Sequence, residues 1–199
     1  MKKLVLTLFL AVSVTAYSQI SLPAASPRQM VEQQFSTSKI SVDYGRPGVK
    51  GRKVFGELVP YGKVWRAGAN GATKITFAQS VNFGGKTVPA GAYGLFVIPA
   101  EKEWKVILNK DAQQWGAYAY DEKLNVIDVT VPVQRLMEKQ EWFAVELNPI
   151  DDIALDMVIK WDMTKVTVPV KVANPEVVSK VVEKLKEIRQ IERDAAVKK

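Results

Sequence analysis

Arginine and aromatic side chains crowd one stretch of the chain, residues 44–70, which reads YGRPGVKGRKVFGELVPYGKVWRAGAN. Arg46, Lys50, Arg52, Lys53, Lys63 and Arg66 stand against a single carboxylate, Glu57, with Tyr44, Phe55, Tyr61 and Trp65 interleaved. Guanidinium groups grip anions through paired N–H donors, and aromatic faces stack on cations and ring-shaped ligands. On that reading Arg46, Arg52 and Arg66 pair with a polar or anionic ligand such as a glycan. Tyr44, Tyr61 and Trp65 stack against it, and Asn70 orients it. The glycines and prolines make the stretch a long ordered loop, with one helical turn expected at 53–58, and loops of this length are commonly functional. A second reading fits the same residues. A long loop carries many carbonyls that arginines can satisfy, while Trp65 and Phe55 plug one end of a core.

Elsewhere the chemistry is sparse. The chain has no Cys and no His, which excludes disulfides, thiol nucleophiles, and imidazole as base or metal ligand. Paired carboxylates, a Ser–Lys dyad, or Tyr with Arg are what remain for catalysis. The acids that sit close together are Glu101 with Glu103, Asp121 with Glu122, and Asp151 with Asp152. They read as turn or surface chemistry, because immediate neighbours along a strand point to opposite faces. No serine occupies a nucleophile elbow. A calcium site at Asp151 and Asp152 lacks any loop motif, and no pattern requires a cofactor or metal. An envelope hydrolase using paired carboxylates is therefore the enzymatic alternative to a binding module, and a purely structural envelope protein is a third.

The first eighteen residues read as an address. Met1-Lys2-Lys3 precedes an apolar run over 4–14, and Ala16-Tyr17-Ser18 supplies small residues where a signal peptidase cuts. That run is short for a membrane span, and no later stretch approaches the ~20 apolar residues one needs. The mature chain, 199 − 18 = 181 residues, is expected outside the cytoplasm, periplasmic or extracellular. Losing Lys2 and Lys3 lowers the formal charge from +7 to +5 (7 − 2). The surplus is scattered, not gathered into a stripe, which argues against nucleic acid as partner.

Strand periodicity fills the middle of the chain. After an extended leader over 19–27, residues 30–35 and 39–44 flank Ser36-Thr37-Ser38 as a hairpin. Thr73, Ile75 and Phe77 alternate with Lys74 and Thr76. Gly84-Gly85 joins two short strands, 80–83 and 86–88. The run 92–99 is apolar on both faces and reads as a central strand. Alternation resumes at 104–109, 127–133, 142–147, 153–161 and 165–172, and Pro132 and Pro169 point to edges or bulges. About ten short strands predict an antiparallel β-sandwich or jelly roll over 28–172. Trp104, Trp142 and Trp161 read as packing residues. The run 115–120 alternates small residues with aromatics, as either a packed strand or a shallow ligand-binding face.

The period changes over 173–199. Asn174 as N-cap, Pro175 at the first position and Glu176 in the first turn open an amphipathic helix. Val178, Val181, Val182, Leu185 and Ile188 follow helical spacing. This helix either packs on the outside of the sandwich or pairs with a second copy or a partner, making a homo-oligomer. The partners expected of the whole are a small polar or glycan ligand, or an envelope protein.

Several long motifs resemble one exported bacterial family, known only as domain of unknown function 2911. They are Tyr44-Gly45-Arg46-Pro47, Lys50-Gly51-Arg52, Phe55-Gly56, Val59-Pro60-Tyr61-Gly62 and Trp65-Arg66-Ala67-Gly68-Ala69-Asn70. Pro89-Ala90-Gly91-Ala92-Tyr93 through Pro99, Glu103-Trp104, Trp115-Gly116 and Tyr120-Asp121 extend the likeness. Ala67 stands where that family often has Thr. The resemblance runs from about Ser26 to Val172 and leaves out the terminal helix. It implies a β-rich extracytoplasmic domain and supplies no catalytic residues.

Overall fold

The computed structural model describes residues 22–197. The predicted signal peptide, 1–18, lies outside the described residues. Alternating burial along the chain produces β1 (Arg28–Phe35), β2 (Ser38–Gly45), β3 (Thr73–Phe77), β4 (Val81–Phe83) and β5 (Lys86–Val88). β6 (Gly91–Pro99), β7 (Glu103–Asn109), β8 (Asn125–Asp151), β9 (Ala154–Val172) and a helix, α1 (Pro175–Val197), complete it. The strands form one antiparallel sheet in the order β1-β2-β3-β6-β7-β8-β9-β4-β5. The fold is all-β with a C-terminal helix, as the periodicity predicts.

The two layers of this fold come from a single sheet that turns over at β8. Its first part, through Pro132, pairs with β7, and from Val133 onward it pairs with β9. Pro132 stands at that handover, where its missing donor costs no ladder bond. Pro169 marks a second one, between β9's pairing with β8 and its pairing with β4. Phe77 of β3 lies 6.0 Å from Phe83 of β4, although four strands separate them in the sheet order. The main apolar core that results takes residues from every strand, and Ala72, Phe96 and Ile107 form a smaller second cluster. At one edge, Lys86 of β5 reaches Asp128 of β8 at 2.9 Å, and that hydrogen bond holds the Asp128 carboxyl below its ordinary pKa.

Three expectations need correction. The segments 127–133 and 142–147 belong to one strand, as do 153–161 and 165–172. The ladder carries through the intervening polar residues with register shifts at 135–140 and 140–144. The helical turn expected at 53–58 is instead a wide turn. Leu58 donates to the Lys53 carbonyl and Val59 to that of Val54, around a Gly56 with φ of +89° that a right-handed helix cannot hold. The run 115–120 is a turn, not a strand. Gly116 has φ +67°, Tyr120 packs on Phe96 at 5.1 Å, and Trp115 and Tyr118 stand 68% and 90% exposed.

The helix begins where capping predicts, with Val178 donating to the Asn174 carbonyl at 3.2 Å. Only one side of its first turns, at Val178, Val182 and Lys186, borders the body. No helix among the described residues is long and apolar enough to cross a membrane.

Gly45 shows how closely β2 approaches the following loop. A β-carbon there would stand 2.2 Å from the main-chain oxygen of Ala69, which cannot swing aside as a side chain could. Gly45→Ala is expected to lose about 2–3 kcal/mol of stability with an unchanged denaturant m-value, read by urea unfolding.

Candidate functional site

The long loop between β2 and β3 crosses one end of the core, and its aromatic residues build that end. Trp65 is 8% exposed and stacks on Trp161, centroids 5.6 Å apart and planes 20° from parallel. Phe55, Trp104 and Phe143 surround it edge-on. Its indole Nε1 donates to the Gly68 carbonyl at 3.0 Å, so neither the ring nor its donor remains for a ligand. Bridges from Trp65 to Val97 and from Gly48 to Trp142 stitch the loop to β6 and β8.

Tyr44 is equally committed to the fold. It is 1% exposed, and its hydroxyl accepts from the Val145 N–H at 3.0 Å. The hydroxyl proton has two acceptors in reach, Gln29 Oε1 at 3.1 Å and the Val145 carbonyl at 3.3 Å. One phenol thus satisfies main-chain groups on the outward side of β8, where no strand pairs. Burial pushes its pKa above the ordinary 10.0, and the Val145 bond opposes that only in part.

The three arginines take separate roles. Arg52 donates from Nε to Val49 and from Nη2 to Gly48, both main-chain oxygens of its own loop, at 3.0 and 2.6 Å. Arg66 is half-buried, its Nε fully enclosed without a partner among the described residues. Burial lowers its pKa, and nearby Tyr118 works the other way. Arg46 is held at two points, its N–H on the Pro27 carbonyl at 2.8 Å and its Nε on the Phe143 carbonyl at 3.0 Å. Its terminal nitrogens make no hydrogen bond among the described residues, and its side chain borders a groove. Tyr61 is 40% exposed and lines a different, shallow depression with residues 100–103. Asn70, in the left-handed region at φ +64°, donates to Ser26 and accepts from Gly116 N–H.

The seven residues singled out by sequence therefore do not converge on one cavity. Tyr44 and Arg46 meet at a groove of about 380 Å³ between β1, the first strand in the sheet order, and the C-terminal half of β8. Sequence reasoning missed the rest of its polar lining: Gln29, Gln33, Gln140 and Asn148, with Glu32 and Glu146. For Gln29 and Gln33 the signal that could have found them was their four-residue spacing on β1, which puts two amides on the face that also carries Val31 and Phe35. No hydrogen bond among the described residues uses Gln29 Nε2, Gln33 Oε1, Gln140 Oε1 or Asn148 Oδ1. The two carboxylates are tied to lysines, Glu32 to Lys39 at 2.9 Å and Glu146 to Lys160 at 2.8 Å. A wider groove of about 620 Å³ adjoins at Gln33 and runs to the base of α1. There Asp151, considered as a calcium ligand, accepts the Ile153 N–H at 2.8 Å. No cluster of three potential metal ligands occurs among the described residues.

Fold and groove together define an antiparallel all-β domain with a polar seam between two strands of its own sheet. A family profile described as "Protein of unknown function (DUF2911)" matches residues 26–170, and the chain belongs to that family. No curated protein and no solved structure matches it.

Tyr44→Phe removes the hydroxyl that bridges Val145 and leaves buried main-chain groups unpaired, with an expected cost of about 1–3 kcal/mol in urea unfolding. The raised pKa adds a pH signature. An unfolded tyrosine ionises near 10.0 and the folded one higher, so this contribution is whole below pH 10.0 and falls as pH rises through the folded value. The alkaline loss of stability should be shallower in Tyr44→Phe than in the wild type.

Proposed function

We propose that the protein is an exported binding module that captures a polar, polyhydroxylated ligand of the glycan class in the groove between β1 and β8. The observation that carries this reading is the set of free hydrogen-bonding atoms on the groove wall. Arg46 and Gln29 offer donors, while Gln33, Gln140 and Asn148 offer acceptors. A hydroxyl is donor and acceptor at once, so a mixed wall of this kind matches it where a uniformly cationic wall would not. Glu32 and Glu146 are each paired with a lysine, which leaves Arg46 as a single cation on the lining and favours a neutral ligand over a polyanion. The Arg46 side chain is already held by its Nε bond to the Phe143 carbonyl, so binding loses less side-chain freedom there. Export is inferred from the signal-like residues 1–18.

Within this reading the loop 46–70 supports the site more than it forms it. Arg52 and Trp65 brace the loop, and Arg46 alone of the three arginines faces the groove. Both acids on the lining are bonded to lysines, which makes hydrolysis by a carboxylate pair the weaker reading.

Arg46→Ala and Gln29→Ala are the variants that separate recognition from bracing. Titrated calorimetrically with a panel of neutral cello-, chito-, malto- and manno-oligosaccharides, the wild type should bind at least one. Each variant should weaken that binding about tenfold; Gln29→Ala should melt within a few degrees of the wild type, while Arg46→Ala also loses its bond to the Phe143 carbonyl and melts lower. Binding of no member of the panel, or variants that unfold while retaining affinity, would overturn the proposal.

A further inference from the structure

The groove between β1 and β8 is walled by strand edges as well as by side chains. Residues 31–33 and 144–148 line it in unbroken succession. Successive strand residues point to opposite faces, so a wall that takes every one of them is an edge, with its main chain turned to the opening.

Ladder parity identifies the groups on each edge. The Arg46 N–H donates to the Pro27 carbonyl, which extends the β1–β2 register by one step and makes the odd-numbered residues of β1 those that bond β2. Met30, Glu32 and Gln34 therefore direct their N–H and C=O groups to the other edge, where no strand pairs. On β8, Phe143 and Val145 send their N–H groups away from β9, to the Pro47 carbonyl and the Tyr44 hydroxyl. Two residues further, Leu147 turns its N–H and C=O the same way. Val31 and Leu147, each partly buried against the core, add apolar surface to the same lining. Gln33 also lines the wider groove with Gln34, so the opening follows β1 from Gln29 to Gln34, about 17 Å of strand.

We propose, on the basis of the glycan reading above, that the ligand is an N-acetylated hexosamine oligomer whose acetamido groups lie against these edges. An acetamido group carries one N–H, one C=O and one methyl in a single plane. The unpaired edges present the complementary acceptors and donors, and Val31 with Leu147 receives the methyl. A plain hexose places a hydroxyl there, which bonds the edge but forfeits burial of the methyl against that apolar surface. A peptide strand laddered to both walls is disfavoured, because the Phe143 and Val145 groups on the β8 edge are already taken by Pro47, Arg46 and Tyr44.

The test is calorimetric titration of the chain from Gln19 onward with N-acetylated chitotetraose and with cellotetraose. Their backbones are identical, and they differ only in an acetamido or a hydroxyl group on each ring. Chitotetraose should bind at least about tenfold more tightly. Glu32→Pro deletes an outward N–H without removing a ladder bond, and should bind chitotetraose about fivefold more weakly than Glu32→Ala, which lacks the same carboxylate. Val31→Thr keeps the side-chain shape, replaces a methyl with a hydroxyl, and should narrow the preference for chitotetraose. A preference unchanged in both Glu32→Pro and Val31→Thr overturns the inference. So does equal or tighter binding of any unacetylated oligomer, which leaves the glycan reading in place. Binding of no oligosaccharide overturns both, and binding of hexathreonine instead would assign the edges to a peptide strand.

Discussion

An irregular segment laid across a dry aromatic core must find partners for its main-chain polar groups, and that requirement organises this molecule. The loop between β2 and β3 meets it with side chains from its own sequence. Arg52 closes on Val49 and Gly48, Trp65 on Gly68, and Thr73 on Ala67. Arg46 and Tyr44 carry the same task outward, to Phe143 and Val145 on β8. Leaving a buried carbonyl or N–H unpaired costs roughly 1–3 kcal/mol, more than an exposed charge pair returns. The guanidinium and phenol groups are therefore spent mainly on geometry.

What that geometry yields is a seam. β8 is paired with β9 along its C-terminal half, and its other side is bridged by Tyr44 and Arg46 in place of a strand. β1 runs alongside without completing a ladder, and the space between them becomes the groove. Its walls are polar because neither edge is sealed by pairing, and its floor is held by Tyr44, which is buried and bonded to Val145.

Much of the fold was legible in the sequence. Alternation located most of the strands, with β8 and β9 each read as two; the apolar run 92–99 located β6, Gly84-Gly85 marked the β4–β5 hairpin, and Asn174-Pro175 marked the start of α1. Joining 127–133 to 142–147 was not legible. The stretch between them is solvent-facing, with Met137 98% exposed, so burial imposes no period on it while the ladder to β9 still holds. The candidate site was legible only in part, for a related reason. Composition shows that arginines and aromatics are gathered but not which of their donors the backbone consumes. Arg46 and Arg52 look alike as letters and differ in whether the terminal nitrogens end on carbonyls. Gln29 and Gln33 passed unnoticed because β1 meets β8 only after more than a hundred intervening residues.

That separation has a consequence for how the molecule assembles. The Tyr44–Val145 contact joins positions 101 apart in sequence, and closing so long a loop costs less chain entropy once the intervening hairpins have shortened the effective path. The seam should be the last feature to appear as the chain folds and among the first to open under stress. A nick or deletion anywhere from β3 to β7 would thus erase the groove without touching a single residue that lines it.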